Sequence, residues 1–157
     1  MNKLLALLVL GFSATAFGAD DPRVVRVDRL EKLASYIENL PQKRLYMHSF
    51  TGTADSDDPQ SVGCALFHGT ATAMFRKDGL VPMSYIGTLF APSFDSLAPM
   101  QSAEKFFGVT PKDALLLFGG EDMTPKEEAR TLRVVAARER LRLARIEARG
   151  LCELAGW

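Results

Sequence analysis

Residues 124–149, TPKEEARTLRVVAARERLRLARIEAR, decide the fold class of this chain. Thr124 is a capping residue, Pro125 suits the first helical turn, and Glu127 stands where its carboxylate can reach back to the cap. Behind this start signal Leu132, Val135, Leu143 and Ile146 recur at helical spacing. The spacing predicts a helix running to about Arg149, and on toward Leu154, that buries these four side chains. Arg138, Arg142, Arg145 and Arg149 follow at steps of four, three and four. At 3.6 residues per turn they fall within an arc of roughly 60° on a neighbouring face. Like charges so spaced repel by a few tenths of a kcal/mol each, so the stripe needs solvent, acids elsewhere in the chain, or an acidic partner.

The same signals recur upstream. Thr110-Pro111-Lys112-Asp113 opens a helix to Phe118, ended by Gly119-Gly120, and Ser102–Phe107 reads as a short helix ended by Gly108. Val24, Val27, Leu30, Leu33, Ala34, Ile37 and Leu40 form an apolar stripe on a first helix that Pro41 stops. Residues 51–60, TGTADSDDPQ, read as a loop. Ser61 is placed to cap a helix over Val62–Asp78, with Gly79 as its stop. The apolar residues of that helix point several ways, as in a central buried helix. Residues 80–100 hold three prolines and no clean period, and read as an irregular connection with a short strand or two. The expected fold is mainly α: a single compact domain of about five helices with an irregular proline-rich connection.

The N-terminus reads as an address. MNKLLALLVLGFSATAFG has a basic Lys3, a short apolar run, and small residues Ala16 and Gly18 before a cleavage point, the pattern of a secretory signal peptide over residues 1–18. The run is too short for a permanent span, which needs roughly 20 apolar residues. Cleavage there leaves residues 19–157 as the domain, secreted or periplasmic. Without Lys3 the chain has 18 basic and 19 acidic residues, so its charge gives no reason to expect nucleic acid as a partner. No later stretch is apolar enough to cross a membrane, and no transmembrane segment is expected after processing.

In an oxidising compartment an even pair of cysteines is expected to bridge, here Cys64 with Cys152. Closing a loop of roughly 90 residues is worth about 4–5 kcal/mol in the chain-entropy model. A second reading makes Cys64 a nucleophile. It shares a helix face with His68 at i and i+4, and a helix start lowers a thiol pKa. The base of such a cysteine hydrolase would be His68 or His48. The bridge and the buried look of the helix argue for a structural cysteine and a core histidine instead. One Cys with two His, without CxxC or HExxH, forms no zinc set. The acidic run Asp55–Asp58 lacks a calcium loop's Gly and Glu, where Gln60 and Leu66 stand. No metal and no cofactor are expected, and no phosphate loop or G-x-S-x-G elbow is present.

Leu40-Pro41, Arg44-Leu45-Tyr46-Met47-His48-Ser49-Phe50, Val62-Gly63-Cys64-Ala65-Leu66-Phe67-His68, Gly79-Leu80, Phe106-Phe107-Gly108-Val109 and Leu117-Phe118 follow in that order. Together they resemble a group of small uncharacterised phage and bacterial proteins with the pattern L-P-x-x-R-F-x-M-x-x-W, C-G-T-x-x-C-x-x-G-[WH]-A, G-L, F-F-G-L and a later L-F pair. The likeness covers about half of the chain. Pro59 stands where that group's first Cys would lie, Phe50 replaces its Trp and Phe67 its Gly. A two-cysteine site in that loop is therefore not carried over. The resemblance implies a compact, mainly helical fold and little chemistry.

The functional expectation is a binding protein of inhibitor, immunity-like or accessory type. It would meet the acidic surface of a protein through Arg138, Arg142, Arg145 and Arg149. An anionic membrane surface ranks second as occupant. The alternatives are the cysteine hydrolase above and a structural envelope protein.

Overall fold

The computed structural model describes residues 21–41, 44–47, 52–53, 63–71, 73–86 and 89–154, without the side chains of 52, 53, 71, 73, 74, 85, 86, 89 and 151–154. The signal-peptide residues, His48, Phe50, Asp55–Asp58, Pro59, Ser61 and the Cys152 side chain lie outside this description.

Asp21 caps α1 (Pro22–Glu38), its carboxylate accepting the Arg23 N–H at 2.8 Å, with Pro22 in the first turn as its fixed φ favours. Five residues of the expected stripe, Val27, Leu30, Leu33, Ala34 and Ile37, are buried. They pack chiefly on α6 (Pro125–Leu154), which starts with a capping box. The Thr124 N–H donates to Glu127 Oε2 at 2.8 Å, and the Glu127 N–H donates to Thr124 Oγ1 at 3.3 Å. The two helices run antiparallel. Arg133 grips Glu38 at 3.1 and 2.6 Å, and Arg140 reaches Glu31 at 2.8 Å and Asp28 at 3.5 Å.

The described part of the central helical segment carries α2 (Ala65–Ala71) and α3 (Ala73–Lys77). Thr70 turns its hydroxyl back to the Phe67 carbonyl at 2.7 Å, and the Arg76 Nε–H donates to the Thr70 carbonyl at the same distance. Gly79 ends α3 with φ +94°.

Residues 80–100 are more regular than their composition suggests. β2 (Val81–Ile86) and β3 (Leu89–Ser93) pair antiparallel, with a register shift between Ser84 and Ile86. β1 (Gly52–Thr53) joins the other edge of β3, giving the order β1-β3-β2. Pro82 pairs with Pro92, and Gly52 and Thr53 of β1 pair with Phe90 and Leu89.

α4 (Pro99–Phe107) and α5 (Pro111–Phe118) close the core. Gly108 caps α4 in the left-handed region with φ +63°. Thr110 caps α5, accepting the Asp113 N–H at 3.2 Å and donating to Asp113 Oδ2 at 2.7 Å. Phe75, Phe94, Phe106, Phe107 and Phe118 meet at ring distances of 4.9–6.0 Å in the centre. Burying each large apolar side chain contributes about 1.5–3 kcal/mol. The fold is mainly α and one domain. Among the described residues no helix is long and apolar enough to cross a membrane.

Candidate functional site: an arginine surface and a buried polar cluster

Cys64 precedes the first residue of α2 and is fully buried, as is Glu128 in the first turns of α6, while His68 is 2% exposed. Burial pushes the Cys64 thiol up to about 12, with the Glu128 carboxyl close enough to push the same way. The expected lowering by a helix start is overturned, because desolvation outweighs the backbone N–H groups of Phe67 and Leu66 that favour the thiolate. Burial pushes His68 down to about 4 and Glu128 up to about 8. The Nε2 of His68 and both carboxyl oxygens of Glu128 have no hydrogen-bond partner among the described residues. Among the described residues no bond joins the thiol to the imidazole, and no group of His, Cys, Asp and Glu could hold a metal. A neutral thiol and a neutral imidazole, both buried, are the reverse of an activated nucleophile pair.

The expected Cys64–Cys152 bridge is not formed: Cys64 carries a free thiol. Helix geometry gives the reason. Cys64 lies near Glu128, at the start of α6, and from Glu128 to Cys152 that helix climbs about 36 Å at 1.5 Å per residue. A bridge needs Cα atoms within about 7 Å.

The arginine stripe stands where its spacing places it. Arg138, Arg142, Arg145 and Arg149 are all exposed on one side of α6. Of the apolar face beside it, Leu132, Val135 and Leu143 are buried, but Ile146 is 45% exposed. Leu143 lies beside the Phe107–Gly108 turn that ends α4, and no residue from 144 to 150 is buried. Arg138 pairs with Asp113 at 2.6 Å. Burial raises the Asp113 pKa, but Arg138 and the Thr110 hydroxyl outweigh it and hold the carboxyl below its ordinary value. Arg142 meets Glu139 through Nε at 2.8 Å. Arg145 and Arg149 have no ion pair among the described residues. A groove of about 240 Å³ runs between Arg138, Leu141, Arg142 and Arg145.

A second, smaller pocket of about 20 Å³ adjoins it, sharing Glu139 and Arg142. Its base is the buried trio Val27, Phe107 and Leu143, and Arg23 and Arg26 of α1 complete its rim. Arg23 is engaged by Asp21 at 3.0 and 2.7 Å, which holds that carboxyl down at about 2. Arg26 has no ion pair among the described residues, and its stem crosses Gly108 so closely that a Cβ there would overlap Cδ. Sequence reasoning missed both arginines. The available signal was their three-residue spacing on α1, on either side of Val24 and Val25.

No protein-family model, curated protein or solved structure matches this chain.

Proposed function

We propose that this protein works by binding an acidic partner protein through the arginine surface of α6 and α1, in an inhibitory, immunity-like or accessory role. One observation carries the reading. Five arginines, Arg23, Arg26, Arg138, Arg142 and Arg145, line two adjoining cavities in which Glu139 is the one acidic lining residue among those described. Guanidinium groups so placed are suited to paired hydrogen bonds with carboxylates. The signal-like residues 1–18 support export, so the partner would be met outside the cytoplasm. The raised pKa and burial of Cys64 weigh against the hydrolase reading.

The test is charge reversal of Arg142→Glu with Arg145→Glu, followed by affinity capture from the protein's own compartment. The double variant is expected to keep its melting temperature, since exposed ion pairs are worth about 0–1 kcal/mol. It is expected to lose the partner that the wild type retains, and added salt should weaken wild-type capture. Equal capture by both forms overturns the reading. Unfolding of the double variant would make the stripe an internal pairing device instead.

Leu141 (62% exposed) and Ile146 beside the arginines favour an anionic membrane surface as the second occupant. Binding of the wild type to phosphatidylglycerol vesicles but not to phosphatidylcholine vesicles, with no protein captured, would select it.

A further inference from the structure

We infer that the small pocket between α1, the Phe107–Gly108 turn and α6 is a carboxylate site, in which Arg26 and Arg142 receive one acidic side chain of the partner. The inference rests on the arginine surface being the binding face and narrows it to one anchoring contact. The pocket has a volume of about 20 Å³, room for one or two water-sized groups, which suits the two oxygens of a carboxylate better than the four of a phosphate. Its base is apolar and buried, so a charge-assisted hydrogen bond at its mouth is less weakened by water than one on open surface. Two of its guanidiniums already have acids: Arg23 has Asp21, and Arg142 has Glu139. Arg26 has none among the described residues, so of the three it is the guanidinium left open to a carboxylate. Arg26 is also held in place before any ligand arrives. It is partly buried, and its stem lies against Gly108, where only a residue without Cβ leaves it room. Such ordering lowers the entropy that binding must offset.

The probe is fluorescein-labelled deca-glutamate, with binding read by fluorescence anisotropy at low salt on the purified protein. The wild type is expected to bind saturably. Arg26→Gln should weaken binding by about tenfold at unchanged melting temperature. Arg26→Lys should weaken it by about threefold, because it keeps the charge and loses the fork. Arg149→Gln, on the same surface but outside the pocket, should weaken it by less than Arg26→Lys does. If Arg26→Gln fails to fold, Arg26→Lys against Arg149→Gln decides. Equal effects at positions 26 and 149 overturn the pocket. The wider surface then stands if Arg142→Glu with Arg145→Glu still abolishes binding, and falls with it if that variant binds like the wild type. Absence of wild-type binding overturns the carboxylate assignment. So does displacement of the probe by inorganic phosphate at lower concentration than by acetate, at matched ionic strength.

Discussion

Glu128 and Arg145 sit on the same helix, and neither has a partner among the described residues, yet the two absences differ in kind. At the start of α6 the unpaired group is fully buried, so the protein holds it by protonation, and the carboxyl is pushed up to about 8. Past Leu143 the unpaired groups are in water, where a guanidinium keeps its charge at little cost and remains open to a ligand. A missing partner in the core is a stability liability that depends on pH. The same absence at the surface is a binding opportunity. Breaking either half of this contrast requires changing a group without changing its surroundings.

The largest effect is expected at Glu128. Its folded pKa of about 8 lies above the ordinary 4.5, so its contribution is fully present below pH 4.5 and is lost as pH rises toward 8. His68 works in the opposite direction. Depressed from 6.5 to about 4, it loses stability as pH falls through that window. Between about pH 4.5 and 6.5 the two slopes oppose and cancel. From 6.5 to 8 Glu128 acts alone at about 1.4 kcal/mol per pH unit, so roughly 2 kcal/mol should be lost across that interval. Glu128→Gln keeps the shape and removes the titration. Urea melts across pH should then show stability rising from pH 4.5 to 6.5 and flat above. A variant that still loses stability toward pH 8 would show that Glu128 is not the titrating group.

The two halves of the contrast differed in how far the sequence disclosed them. The arginine stripe was legible because period 3.6 fixes which residues share a face, and Arg138 to Arg149 needed no tertiary partner to be placed. Glu128 was invisible for the opposite reason. It stands in a charged first turn, Lys126-Glu127-Glu128, where acids are ordinary, and only the packing of α6 against the core turns one of them inward. Arg26 depended on where the α4 turn meets α1, a contact between segments about 80 residues apart. A short strand or two was legible over residues 80–100, but the β2–β3 pairing was not, because prolines at 82 and 92 hide it. The false bridge came from counting cysteines without asking how far a 30-residue helix carries one of them.

A middle-sized effect sharpens the contrast without touching a charge. Gly108→Ala puts a Cβ where φ is +63° and where the Arg26 stem lies. The left-handed conformation alone costs a side-chain-bearing residue about 1–2 kcal/mol, which chemical denaturation should read. Deca-glutamate binding should fall with it, as in Arg26→Gln, because the guanidinium is displaced. Binding at wild-type strength in a destabilised Gly108→Ala protein would show that the placement of Arg26 does not matter to the surface.

The smallest effect compares paired with unpaired arginines on opposite flanks of α6. Arg133 holds Glu38 of α1 through two bonds, and the pairing keeps that carboxyl below its ordinary pKa. Both side chains are about two-fifths exposed, so water and salt screen most of the attraction. Arg133→Ala should therefore lower the melting temperature by only about 1–2 °C in low salt, and the difference should vanish in high salt. Arg145→Ala removes a cation that pairs with nothing among the described residues and relieves repulsion from Arg142 and Arg149, so it should leave the melting temperature unchanged or slightly raised. In binding the order should reverse, Arg145→Ala weakening deca-glutamate and Arg133→Ala leaving it alone. If both substitutions move stability and binding together, the two flanks of α6 form one charged surface rather than a fastening side and a receiving side.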